Sequence, residues 1–293
     1  MWSGTYPALS TPFAGDRLDE DALRRLVRYV VAGGVEGIVA CGTTGEAPAL
    51  TVREWSQVVA VCVDECRDVP VIAGTGTNNT QNTVARTKLA RELGVAAALV
   101  VAPYYNKPTQ RGLVAHFTRV AEEGKLPVIL YNIPGRTGVN MTAETIAELS
   151  RVPGIVGVKE AAGSMDQVGA ILEKAAEGFA VLSGDDSLCL PMYALGGHGV
   201  ISTTATLAPA LMGGMYRAFR DGRVAQARAA HYKLLPLFRA LFAETNPAPL
   251  KYALSRLGLG ANELRLPLVP VTEATERMVD EALAGCGLRG GNA

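Results

Sequence analysis

What the 293-residue chain has little of sets its first limits. It has no basic surplus: 28 Lys and Arg balance 28 Asp and Glu, so no net positive charge is available for a phosphate backbone, and no nucleic-acid partner is expected. It has no long hydrophobic run. The densest, Val95 to Ala102, falls far short of the about eighteen apolar residues that a bilayer crossing needs, so no membrane partner is expected. Met1 to Pro7 lacks both a basic stretch and a long apolar stretch, so no export signal is visible and the expected location is cytoplasmic. Cysteines are few and odd in number, Cys41, Cys62, Cys66, Cys189 and Cys286, which does not suit a disulfide framework and fits a reducing compartment. Only three histidines occur, His116, His198 and His231, none at ligand spacing, so no metal is expected. The run Gly74-Thr75-Gly76-Thr77-Asn78-Asn79 lacks the third glycine of a dinucleotide fingerprint and no P-loop is present, so no nucleotide cofactor is expected.

What is present is apolar patterning. With 48% hydrophobic residues the chain can bury a large core, which excludes disorder as its main state. Eight short β-rich runs begin near Thr5, Gly37, Pro70, Ala97, Pro127, Ile155, Phe179 and Gly199. Between them Asp19–Ala32, Thr51–Cys66, Asn79–Leu93, Gly112–Glu123, Thr142–Ser150 and Ser164–Ala176 repeat apolar residues every three to four positions and read as helices. Thr51, Thr142 and Ser164 supply polar starts. Eight βα units predict an α/β fold of the (β/α)8 TIM-barrel class over residues 1–220. Beyond Arg220 the pattern is helical (Val224–Phe242, Pro249–Leu257, Glu273–Leu283), which predicts a C-terminal helical appendage over 221–293.

Barrel enzymes carry their chemistry at the C-terminal ends of strands and in the loops that follow. Lys159 ends the apolar run Ile155-Val156-Gly157-Val158 of the sixth strand. Desolvation disfavours the charged form of an amine and frees it for attack on a carbonyl, so Lys159 reads as a Schiff-base lysine or, alternatively, as half of an ion pair with Glu160 or another carboxylate. Tyr131 closes the neighbouring fifth strand and is either a proton shuttle, linked to hydroxyls such as Thr44, or a core tyrosine. Gly42-Thr43-Thr44-Gly45-Glu46 offers N–H groups and hydroxyls to a carboxylate, or is an ordinary turn. Arg136, on a loop stiffened by Pro134, offers a fork for a second carboxylate, or lies on the surface. Asp185 and Asp186 read as helix caps rather than metal ligands, and His198, ahead of the eighth strand, as a packing residue at the stability face.

GTTGEAPAL (42–50), PVIAGTGTNNT (70–80), PYYNKPTQ (103–110), YNIPGRTG (131–138), GVKEA (157–161), LSGDD (182–186) and GGHGVIS (196–202) together resemble the dihydrodipicolinate synthase family, within the N-acetylneuraminate lyase superfamily of class I aldolases. The likeness runs from about Thr5 to the RLPLVP segment at 265–270. It implies condensation of pyruvate with L-aspartate 4-semialdehyde in diaminopimelate and lysine biosynthesis, without a cofactor. Lys159 then matches the imine-forming lysine, Tyr131 the proton-shuttling tyrosine, Thr44 the hydroxyl relay, and Tyr105 the tyrosine that a neighbouring subunit inserts. Thr43 matches the holder of the pyruvate carboxylate and Arg136 the receiver of the semialdehyde carboxylate, while Gly184 and Ile201 line the site through backbone atoms. Arg136 favours the synthase over sugar-acid aldolases of the superfamily. The resemblance also implies a homotetramer built as a dimer of dimers. At the family's lysine feedback site Asn78 and Tyr104 match, but Asn82, Val52 and Trp55 stand where lysine-sensitive members carry an acidic residue and polar or basic ones, so weak or absent inhibition by lysine is expected.

Overall fold

The computed structural model describes residues 2–288. Its strands are β1 (Gly4–Pro7), β2 (Phe13–Ala14), β3 (Arg17–Leu18), β4 (Ile38–Ala40), β5 (Val71–Gly74), β6 (Ala97–Val101), β7 (Val128–Asn132), β8 (Ile155–Glu160), β9 (Ala180–Ser183) and β10 (Gly199–Ser202). β2 and β3 form a separate antiparallel hairpin; the other eight make one sheet in the order β1-β10-β9-β8-β7-β6-β5-β4. Helices alternate with these strands and four more follow β10, the arrangement of a (β/α)8 barrel with C-terminal helices. All eight expected strands form, each beginning within a residue or so of the position that the sequence pattern marks.

The chain divides at Gly4/Thr5, Pro70/Val71 and Ile201/Ser202 into two compact units. In the unit that carries Val71–Ile201, β5 to β10 pair parallel in chain order. Their central residues, among them Ile72, Val100, Ile129, Leu130, Val158 and Val181, are fully buried, which is why these strands read as apolar runs rather than as alternating ones. The helix expected from Gly112 begins at Gln110, whereas two others start as the sequence indicates. Thr142 accepts a hydrogen bond from the Thr145 N–H and Ser164 one from the Gln167 N–H. His198 is a structural residue here: its N–H donates to the Val181 carbonyl (2.8 Å) and its Nδ1 accepts from the Val181 N–H (3.1 Å), fixing the chain ahead of β10.

The unit that carries Thr5–Pro70 and the chain from Ser202 onward holds the hairpin, helices Glu20–Ala32 and Val52–Glu65, and helices Pro209–Arg220, Val224–Ala240, Ala248–Arg256 and Glu273–Cys286. Thr51 and Glu54 form the reciprocal capping box that their spacing suggests. Several details differ from the expectations, among them the unexpected hairpin and a last helix that runs to Cys286 rather than Leu283. Residues 134–137 are not a loop but one helical turn, with Pro134 at its first position, where a missing N–H costs nothing, and Gly138 at φ +74° closing it. The long helix starting at Val224 ends at Ala240 rather than Phe242. The five cysteines are buried and form no disulfide, and no helix among the described residues is long and apolar enough to cross a membrane.

Candidate active site

Parallel pairing puts Tyr131 of β7 opposite Lys159 of β8, and Lys159 opposite Leu182 of β9. Residues in register on neighbouring strands share a face, and the Lys159 Nζ accordingly rests 4.3 Å from the centre of the Tyr131 ring. Both side chains are buried, Lys159 to 6% residual exposure. Burying an amine costs free energy unless something compensates it; contact with the electron-rich ring face contributes about 0.5–2 kcal/mol when the amine is charged.

Alternation along the strand bears on the pairing of Lys159 with Glu160. Glu160, the next residue, points to the opposite face. There it accepts from Asn132 Nδ2 (3.0 Å), Gln167 Nε2 (3.2 Å) and its own loop's Ala162 N–H (2.7 Å). Burial pushes the Glu160 carboxyl above the ordinary range, and these donors pull it back. Glu160 thus braces the end of β8 from outside and is not the ion-pair partner of Lys159.

Gly184 has a steric reason to be glycine. A Cβ there would lie 3.0 Å from both Cε and Cγ of Lys159 and 2.8 Å from the Ala161 Cβ, so any larger residue displaces the lysine stem. The Gly184 N–H donates to the Glu160 carbonyl at 2.7 Å, holding that approach. Ile201, near the end of β10, is buried. Arg136 sits exposed on the one-turn helix. Tyr105, after β6, stands 89% exposed on a backbone with φ +73°, an uncommon conformation for an aromatic residue. Asp185 caps the following turn by accepting from the Ser187 N–H at 3.1 Å, as its position suggests.

The other unit holds the threonine turn. Cys41 and Glu46 bracket it with φ of +53° and +50°. Gly45 packs so tightly that a Cβ would meet Cys41 backbone atoms and the Leu9 carbonyl at 3.2 Å. Thr43 is half-buried, whereas Thr44 is buried and its Oγ1 accepts from Asn246 Nδ2 (2.9 Å), with Thr203 Oγ1 at 3.4 Å. Lys251 forms a buried ion pair with Glu46, donates to the Glu263 carbonyl (2.7 Å) and lies 4.0 Å over the Phe13 ring. Burial pulls the Lys251 amine below its ordinary range and Glu46 opposes that shift. The second Glu46 oxygen accepts from the Arg265 N–H at 3.1 Å, and the Arg265 guanidinium forks onto Glu54.

The structure therefore groups Lys159, Tyr131 and Gly184 in one unit, and Thr43 and Thr44 in the other. Asn246, Thr203 and Lys251 were not singled out from the sequence. Lys251 had a usable signal, a lone charge in the apolar stretch Ala248–Leu254, whereas the Asn246–Thr44 contact spans 202 positions and no local pattern announces it.

A buried amine at a barrel strand end can, when neutral, attack a carbonyl, and comparison with known proteins shows which family carries this arrangement. A profile of the Dihydrodipicolinate synthetase family matches residues 1–285. The 4-hydroxy-tetrahydrodipicolinate synthase of Maridesulfovibrio salexigens is 48% identical over 98% of this chain and 99% of its own. The crystal structure of dihydrodipicolinate synthase from Aquifex aeolicus superposes with TM-score 0.96 at 44% identity, covering 99% of this chain and 100% of that one. The chloride-inhibited dihydrodipicolinate synthase from Acinetobacter baumannii, complexed with pyruvate, superposes with TM-score 0.95 at 40% identity, covering 98% of this chain and 99% of that one. A match of this length, carried by the same fold, settles the kinship: the chain belongs to the dihydrodipicolinate synthetase family.

Proposed function

We propose that this protein is a 4-hydroxy-tetrahydrodipicolinate synthase, a lyase that joins pyruvate to L-aspartate 4-semialdehyde in diaminopimelate and lysine biosynthesis. The observation that carries the reading is the buried Lys159 amine against the Tyr131 ring, with the adjacent carboxylate turned away. Lys159 Nζ attacks the keto carbon of pyruvate; the amine gives up its two protons, the keto oxygen takes up two and leaves as water, and an imine remains. Loss of a methyl proton turns the imine into an enamine whose carbon attacks the aldehyde of the second substrate. That substrate's own amine then displaces Lys159 and frees the enzyme. Tyr131 moves the protons on and off the carbinolamine, a role worth about 10²–10⁴-fold for a well-placed acid or base. Thr44 relays them.

Thr43 holds the pyruvate carboxylate, Arg136 receives that of the semialdehyde, and Gly184 and Ile201 line the site. Tyr105 acts in trans, completing the relay of a neighbouring subunit; its exposure on a strained backbone is what such a role needs, since a large aromatic side chain left in water gains nothing from that strain. The working assembly is then a homotetramer, a dimer of dimers, in the cytoplasm, with residues 1–220 as the catalytic barrel and 221–293 as its helical appendage, of which Met1 and residues 289–293 lie outside the described residues. No step calls for a metal or an organic cofactor. The test is turnover of pyruvate with aspartate semialdehyde, the cyclic product being followed by mass spectrometry. Cleavage of N-acetylneuraminate or a 2-keto-3-deoxy sugar acid, with the semialdehyde left untouched, would overturn the assignment.

A further inference from the structure

We propose that Asn246 is a positioning residue that sets the direction of the Thr44 hydroxyl, an inference that rests on the relay role given to Thr44 above. A hydroxyl has one proton and two lone pairs, whereas an amide nitrogen only donates. With Asn246 Nδ2 donating to Thr44 Oγ1 at 2.9 Å, one lone pair is filled and the Thr44 proton must point elsewhere. The other neighbour, Thr203 Oγ1, stands at 3.4 Å, beyond the usual 2.5–3.0 Å of an O–H···O bond, and makes a weak claim on that proton. A freely rotating hydroxyl could accept or donate in any direction. This one is turned into a directed donor whose lost proton can be replaced.

The device is held stiffly. Asn246 and Thr44 are both buried. Asn246 stands just ahead of helix Ala248–Arg256, whose Lys251 pairs with Glu46, two residues beyond Thr44. The turn is therefore tied to the same C-terminal segment twice, once at the hydroxyl and once at the buried carboxylate.

The test is a double-mutant cycle on the full-length enzyme. Asn246→Ala is expected to lower kcat about 10- to 100-fold, the cost of a misdirected catalytic group, while KM for pyruvate moves less than about threefold. In a Thr44→Val background the same substitution should lower kcat by less than about twofold, because the hydroxyl it acts on is gone. Asn246→Asp keeps the shape and replaces the donor by an acceptor; it should fail in the same non-additive way, and it carries the cycle if the alanine variant does not fold, as judged by near-UV circular dichroism. Losses that multiply across the two sites, or a change confined to KM, would reduce Asn246 to a structural role and overturn the inference. Thr44→Val with undiminished kcat would instead remove the relay itself, a distinct failure that takes down the reading of Thr44.

Discussion

The two groups of candidate site residues are held in different ways. Lys159 and Tyr131 stand on adjacent strands, and the parallel register that brings them together is made by backbone hydrogen bonds between apolar runs. Thr44 stands on a turn whose own residues include two non-glycine positions in the left-handed region, and its position depends on side chains about 200 residues later, Asn246 and Lys251. Strand geometry supplies the first arrangement as a by-product of folding, whereas specific buried polar contacts must supply the second. A turn fixed in that way is open to disruption from a distance.

The largest expected effect tests this directly. Lys251→Ala leaves Glu46 buried without its cation, which typically costs about 3–5 kcal/mol when one partner of a buried pair is removed. Urea unfolding should show a loss of that size together with reduced turnover, while trapping of pyruvate on Lys159 by borohydride persists wherever the protein is folded. Loss of trapping in the folded variant would mean that the turn and the strand-borne pair are not separately held. Gly184→Ala attacks the other arrangement. The added Cβ would press on Lys159 Cε and Cγ from 3.0 Å, and the expected result is roughly a 100-fold drop in kcat with a stability loss of about 1–3 kcal/mol. Steady-state kinetics at the parent level would show that the lysine stem yields without cost.

A smaller effect concerns acid. Burial lowers the His116 imidazole to about 4, and its Nδ1 pairs with Thr80 Oγ1 at 2.9 Å. The ordinary value is near 6.5, so on acidification the unfolded chain takes up this proton first. The stability that neutral His116 contributes is complete above about pH 6.5 and is lost as the pH falls from there towards 4. Urea midpoints measured across that window should decline, and the decline should be shallower in His116→Asn; an unchanged slope would assign it to other groups.

Smallest of all should be the response to free lysine. Asn82 and Val52 are exposed and uncharged, and Trp55 is buried to 1% exposure, so these three positions offer a cationic ligand no carboxylate. Sub-millimolar lysine is expected to leave the rate nearly unchanged, and tight inhibition would show that the ammonium group finds another partner.

The contrast between the two arrangements is also a contrast in legibility. Lys159 and Tyr131 could be placed from the sequence because each ends an apolar run, and strand ends at the top of a barrel are where chemistry sits. That Glu160 is not the partner of Lys159 needed the structure, although strand alternation alone argues for it. The hairpin Phe13–Ala14 with Arg17–Leu18 leaves no mark in the sequence, since two-residue strands show no period. The turn at 134–137 looks like a loop in the sequence because Pro134 signals a break as readily as a first helical position. Gly184 was known only through resemblance; its reason, the room it leaves for the lysine stem, is a tertiary fact. Asn246 lies in a segment that reads as a proline-rich link, and nothing local ties it to Thr44.

The most direct test of the central claim is borohydride reduction in the presence of pyruvate, followed by peptide mass spectrometry, on the parent protein and on Lys159→Ala. The account requires a pyruvate-dependent adduct on Lys159 that is absent from the variant. A folded parent protein with no adduct, or an adduct that survives the substitution at another lysine, would contradict it.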